Sequence, residues 1–162
     1  MSTSLNRILR RYMSALLLLL PLPAAADVVK PALVEISVDA AGTFSIEIRA
    51  SIEALLTGIN SRYKNTRDAP NAKAYDALRV LQPDALAQAF EPFKEKFTDS
   101  VRLWFDGQPV ALHVTRVKIP EPGYPKVPRI SVITLRGTLD QASRSLQWYY
   151  PARFGDNGIF YH

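Results

Sequence analysis

Leu33–Arg49 reads LVEISVDAAGTFSIEIR, and its pattern decides the fold class. Val34, Ile36 and Val38 alternate with Glu35 and Ser37, while Phe44, Ile46 and Ile48 alternate with Ser45, Glu47 and Arg49. A period of two puts one set of side chains on each face of a pleated strand, so both runs read as half-buried strands. Asp39-Ala-Ala-Gly42 joins them with a short connection ending in glycine, which predicts an antiparallel hairpin.

Downstream of the hairpin the period changes. Ser51 precedes Ile52-Glu-Ala-Leu-Leu56 and Gly58 follows, the order of N-cap, short helix and C-cap. Asn60 to Asn71 is polar and reads as an exposed loop. Tyr75, Leu78 and Leu81 then recur at helical spacing after Asn71, a candidate cap, and Pro83 suits the first turn of the next helix. In that helix Leu86, Phe90, Phe93 and Phe97 form one apolar stripe, read as a core face, with Gln88, Glu91, Lys94 and Glu95 off it. Pro92 lies inside the pattern. Its missing N–H and its ring predict a kink or split there.

Strand signals return at Val101, Leu103 and Phe105, with Asp106-Gly107 as a hairpin turn and Val110, Leu112 and Val114 as the returning strand. The apolar phase shifts to Val117 and Ile119, which predicts a bulge at Thr115-Arg116. Ile119 to Pro128 holds Pro120, Pro122, Pro125 and Pro128, a stiff extended connection. Ile130 to Leu135 reads as a central strand, and Leu146, Trp148 and Tyr150 as another. Asp156-Asn157-Gly158 reads as a tight turn into Ile159-Phe160-Tyr161. The expected fold is mainly β (α+β): an antiparallel β-sandwich of about seven strands, two before and five after a helical insertion near residues 72–98.

Composition narrows the function. The chain has 162 residues, 48% hydrophobic, with no Cys, which excludes a disulfide framework, a thiolate metal cluster and a cysteine nucleophile. Its net charge of +5 owes three positive charges to Arg7, Arg10 and Arg11, in a leading segment without acids. That segment has the order of a signal peptide: a basic start, the apolar run Met13 to Leu22, and small residues Ala24-Ala25-Ala26. The apolar run is shorter than the roughly 20 residues of a spanning helix and is broken by Pro21 and Pro23. Residues 1–26 are therefore expected to direct export, and residues 27–162 to form a single extracytoplasmic domain, periplasmic or on the outer face of the inner membrane, with no transmembrane span. With the leader removed, the basic balance is too small to indicate a nucleic-acid partner.

Chemistry-bearing residues are sparse. His113 sits on the polar side of a strand and His162 stands apart, so no metal-binding histidine spacing exists. There is no serine elbow and no glycine-rich phosphate loop. Glu91 and Glu95 share a helix side with Lys94 and Lys96 among them, the pattern of a solvated face. Asp68 and Asp76 match no calcium loop and have Lys64, Arg67 and Lys73 as neighbours. No catalytic residue, metal ligand or cofactor is expected. Two aromatic residues outside the core pattern, Trp104 and Tyr124, are the candidates for a binding surface, the alternative for Tyr124 being that it packs back on the domain.

Lys30-Pro-Ala-Leu-Val-Glu-Ile36, Phe44-Ser-Ile-Glu-Ile-Arg49, Ile52-Glu-Ala-Leu-Leu-Thr-Gly58, the Asn71-Ala-x-x-Tyr-Asp-x-Leu-Arg79 helix and Gly137-Thr-Leu139 with Trp148 together resemble the extracytoplasmic N-terminal portion of HupE/UreJ-type bacterial membrane proteins. The resemblance implies a β-rich domain ahead of membrane helices, in a group associated with nickel or cobalt uptake. It implies no metal ligand here, because the metal-handling residues of that group sit in its membrane helices, and Asp27 stands where members often begin with histidine. The expected function is a non-catalytic accessory or sensing domain whose partner is a membrane-embedded permease-like portion or another envelope protein. The alternative is a free periplasmic module that binds a peptide or protein. Ile159-Phe160-Tyr161 also predicts an apolar strand edge that invites another chain.

Overall fold

A computed structural model describes residues 28–124, 127–139 and 145–162. The leader and its cleavage site at Ala24-Ala25-Ala26 lie outside the described residues, as does the middle of the proline-rich connection at Pro125. The architecture is mixed and β-rich, with eight strands in two sheets packed with short helices around a shared core.

The hairpin forms where the alternation places it, as β1 (Ala32–Val38) and β2 (Thr43–Ala50), with Val38 opposite Phe44. Asp39 closes the turn: its Oδ1 accepts from the Ala41 and Thr43 amides, both at 2.9 Å, and Gly42 takes φ 81°. Helix α1 (Ile52–Thr57) starts at Ser51, whose Oγ accepts from the Ala54 amide at 3.3 Å, and stops at Gly58 with φ 70°. Helices α2 (Ala72–Arg79), α3 (Pro83–Phe90) and α4 (Lys94–Ser100) follow. Pro92 splits the phenylalanine helix as expected, the 3-10 turn Glu91–Phe93 separating α3 from α4. Leu86, Phe90 and Phe97 are completely buried, so the apolar stripe is a core face.

The remaining strands are β3 (Arg102–Phe105), β4 (Gln108–Val110), β5 (His113–Lys118), β6 (Ser131–Thr138), β7 (Leu146–Tyr149) and β8 (Asn157–Tyr161). One sheet runs β5-β6-β2-β1-β8 and the other β4-β3-β7. Asp106 and Gly107 both take positive φ in the β3–β4 turn, the geometry that matches strand twist. The register shift between Val114 and Arg116 is the expected bulge. Phe44 and Phe105, with ring centroids 5.7 Å apart, join the two sheets through the core.

Five expectations are corrected. Among the described residues the strand count is eight, two before and six after the helices. The strand expected from Val110 to Val114 is two strands: the chain leaves the smaller sheet after Val110, buries Leu112, and enters the larger sheet at His113. The pairing is not wholly antiparallel, because Asp156-Asn157-Gly158 is not a turn: the reversal occurs one residue earlier, at Gly155 with φ 97°, and Asn157 begins β8, which lies parallel to β1. The polar Asn60–Asn71 loop is only partly exposed. Asn60, Thr66 and Ala69 are buried, and Val29, Ile59, Ala69 and Tyr75 form a second small core. Asn71 makes no side-chain cap; its Nδ2 donates to the Thr57 carbonyl at 2.9 Å, tying α2 to α1.

Candidate binding surface

The β3–β4 hairpin positions Trp104. Leu103 and Phe105 are buried in the core, so the period of two turns the indole to the other side of the sheet, where it is half-buried rather than fully exposed. It lines a groove of about 430 Å³ together with His113 at the start of β5 and Glu95, Asp99 and Arg102. Glu95 and Asp99 are one turn apart on α4 and share its groove side. Among the described residues neither carboxylate is in an ion pair, whereas Glu91, on the same helical stretch, is held by Lys94 at 2.6 Å. The groove thus combines an aromatic face with two carboxylates, against one guanidinium from Arg102.

Tyr124 lies elsewhere. It stands out into solvent at 66% exposure instead of packing back, and lines a separate depression of about 200 Å³ with Arg79, Val80, Gly123 and Val127. The two depressions share no lining residue, so the structure does not bring Trp104 and Tyr124 together. His113 is exposed at the Trp104 groove, opposite Arg136 in the β5–β6 register. Asp76 faces Arg79 at 3.9 Å, and Asp68 belongs to a short 3-10 turn. Among the described residues no group of His, Asp or Glu side chains is placed to hold a metal ion, and no helix is long and apolar enough to cross a membrane.

Sequence reasoning passed over Arg129, the residue that anchors the proline-rich connection. Its Nε donates to Glu53 Oε1 at 2.8 Å, its Nη1 to the carbonyls of Leu81 at 2.8 Å and Pro120 at 3.3 Å, and its Nη2 to the Leu78 carbonyl at 3.3 Å. The only signal for it was a charge set between Pro128 and the apolar run from Ile130. Tyr150 is also unusual: burial pushes its phenol well above the ordinary range, and its hydroxyl, like the Nε1 of the stacked Trp148, has no hydrogen-bond partner among the described residues.

No family model matches the chain, and no curated protein or solved structure matches it.

Proposed function

We propose that the chain is a non-catalytic extracytoplasmic accessory domain that recognises a protein partner by taking a basic side chain into the Trp104 groove. The observation that carries this reading is the placement of the Trp104 indole beside the unpaired carboxylates of Glu95 and Asp99. An ammonium or guanidinium over an aromatic face gains about 0.5–1 kcal/mol at exposed sites, and adjacent carboxylates add direct charge attraction. Arg102 offsets one of the two carboxylates, so the groove accepts one positive charge and disfavours an acidic segment.

The resemblance to HupE/UreJ-type proteins supports a membrane-protein partner, and the signal-peptide pattern of residues 1–26 supports export. In this proposal the two sheets act as leaves of a β-sandwich, joined at Phe44 and Phe105, with α3 and α4 packed on the same core.

Trp104 and Trp148 are the two tryptophans of the chain, so a Trp148→Phe background leaves Trp104 as the fluorescent reporter. Lysine- and arginine-containing peptides are expected to give a saturable emission change that Glu95→Gln with Asp99→Asn abolishes. An equal response to acidic peptides, or none to basic ones, overturns the reading.

A further inference from the structure

Strand β8 is an edge of the five-stranded sheet. Asp156 accepts from the Ala32 amide at 2.9 Å and the His162 amide donates to the Ile36 carbonyl at 3.0 Å, so the even-numbered residues of β8 bond inward to β1. In a parallel ladder the alternate residues then point their backbone groups the other way. Asn157, Ile159 and Tyr161 therefore offer N–H and C=O groups along the open edge.

Among the described residues the other outer strands are β5, β4 and β7; β5 and β4 are blunted, β7 is only four residues long, and β8 has none of these protections. β5, at the opposite edge of the same sheet, carries His113, Arg116 and Lys118 and a bulge, and β4 is three residues long and contains Pro109. Charges, bulges, short strands and proline are the usual devices that keep edges from pairing. β8 reads Asn-Gly-Ile-Phe-Tyr, without a charge or proline, and leaves Ile159, Phe160 and Tyr161 exposed at 36%, 52% and 57%.

We infer that the chain dimerises through β8, which pairs antiparallel with β8 of a second copy about a two-fold axis at Ile159. The register selects this occupant because the strand is complementary to itself. Ile159 meets Ile159 of the second copy, Asn157 meets Tyr161, and Asp156 meets His162, a carboxylate against an imidazole with no like charges opposed. Gly158 meets Phe160, whose ring covers the backbone that glycine leaves bare. Asp156 Oδ2 already accepts from Ser61 Oγ at 2.7 Å, which holds the carboxylate at the start of the strand and leaves Oδ1 without a partner among the described residues. The outward groups are the ones this register needs, and they form about six backbone hydrogen bonds across the axis. The five-stranded sheets of the two copies merge into one continuous sheet.

Sedimentation equilibrium of the chain, run with two variant pairs, tests the inference. The chain is expected to dimerise. Ile159→Lys, which opposes two ammonium groups on the axis, should weaken the dimer by about tenfold or more, whereas Val80→Lys, at an exposed site far along the chain, should not. The chain has no cysteine, so Ile159→Cys gives one thiol per copy at a hydrogen-bonded pair, within reach of a disulfide. Oxidation should cross-link Ile159→Cys and leave Val80→Cys monomeric, a readout that does not depend on how Ile159→Lys folds. A chain that stays monomeric, a dimer indifferent to Ile159→Lys, equal cross-linking of the two cysteine variants, or a β8 that pairs only with a strand of another protein would each overturn it.

Discussion

Arg129 and Glu53 lie 76 residues apart in sequence and meet in the core at 2.8 Å, both side chains buried. Ser51 Oγ donates to the second carboxylate oxygen of Glu53 at 2.9 Å, and the remaining guanidinium donors bond to three carbonyls. One guanidinium therefore closes the end of α2, fixes the start of the proline-rich connection and pairs with the first helix. Burying such a pair is stabilising only when its other donors and acceptors are also satisfied, and here nearly all are.

Removing one partner leaves a buried charge without compensation. Arg129→Ala and Glu53→Gln should each cost about 3–5 kcal/mol in urea denaturation. The double variant Glu53→Leu with Arg129→Met should lose less than the sum of the single losses, since it leaves no orphaned charge. Additive losses would show that the two groups act independently.

Phe90 is completely buried, with its ring centroid 5.9 Å from Phe93 and 6.1 Å from Phe97. Phe90→Ala should cost about 3–5 kcal/mol, whereas Lys94→Ala, which removes a surface ion pair to Glu91, should change stability by about 0.5 kcal/mol or less. Thermal melts of the two variants check the contrast.

Gly137 lies opposite Phe44 in the β2–β6 register, and a Cβ at that position would fall inside the envelope of the Phe44 ring. Gly137→Ala should therefore destabilise by about 1–3 kcal/mol, and Phe44→Leu should relieve part of that cost. Gly58 has open space around its Cα but φ 70°, so Gly58→Ala meets backbone strain alone, on the order of 1 kcal/mol. Equal denaturation midpoints for Gly137→Ala and Phe44→Leu with Gly137→Ala would show that the ring does not set the limit.

The local signals were legible and the long-range ones were not. Alternation around Val34 and Ile46 announces strands because each faces one core, and Ser51, Gly58 and Pro92 act on their own backbone within a turn. The parallel pairing of β8 with β1 joins residues at opposite ends of the domain, and no local pattern encodes a partner that distant. Asn157-Gly158 has the composition of a turn, yet Gly155 already makes the reversal and pairing with Ala32 and Leu33 holds both residues extended. Trp104 was legible as an aromatic on the polar phase of a strand. Of the carboxylates beside it, Glu95 was legible only as part of a solvated helix face and Asp99 carried no signal, because the groove arises from α4 docking next to β3 and β5. Arg129 stayed hidden for the same reason: its partners come from three separate segments.

The Tyr150 phenol gives the chain an alkaline liability. Its folded pKa is raised above the ordinary value of 10.0 by burial, so on raising the pH the unfolded chain releases this proton first. The unfolded state then binds fewer protons than the native state and stability falls with pH, the contribution being intact below about pH 10 and lost progressively above it. Because the hydroxyl has no hydrogen-bond partner among the described residues, Tyr150→Phe removes a desolvated polar group without breaking a bond. At neutral pH the variant should be as stable as the parent or more so, by up to about 1 kcal/mol. In chemical denaturation repeated from pH 9 to about pH 11.5, the parent should lose stability more steeply than Tyr150→Phe, and the two curves should diverge only on the alkaline side. Parallel curves through that range would show that Tyr150 ionises in the folded chain as readily as in the unfolded one.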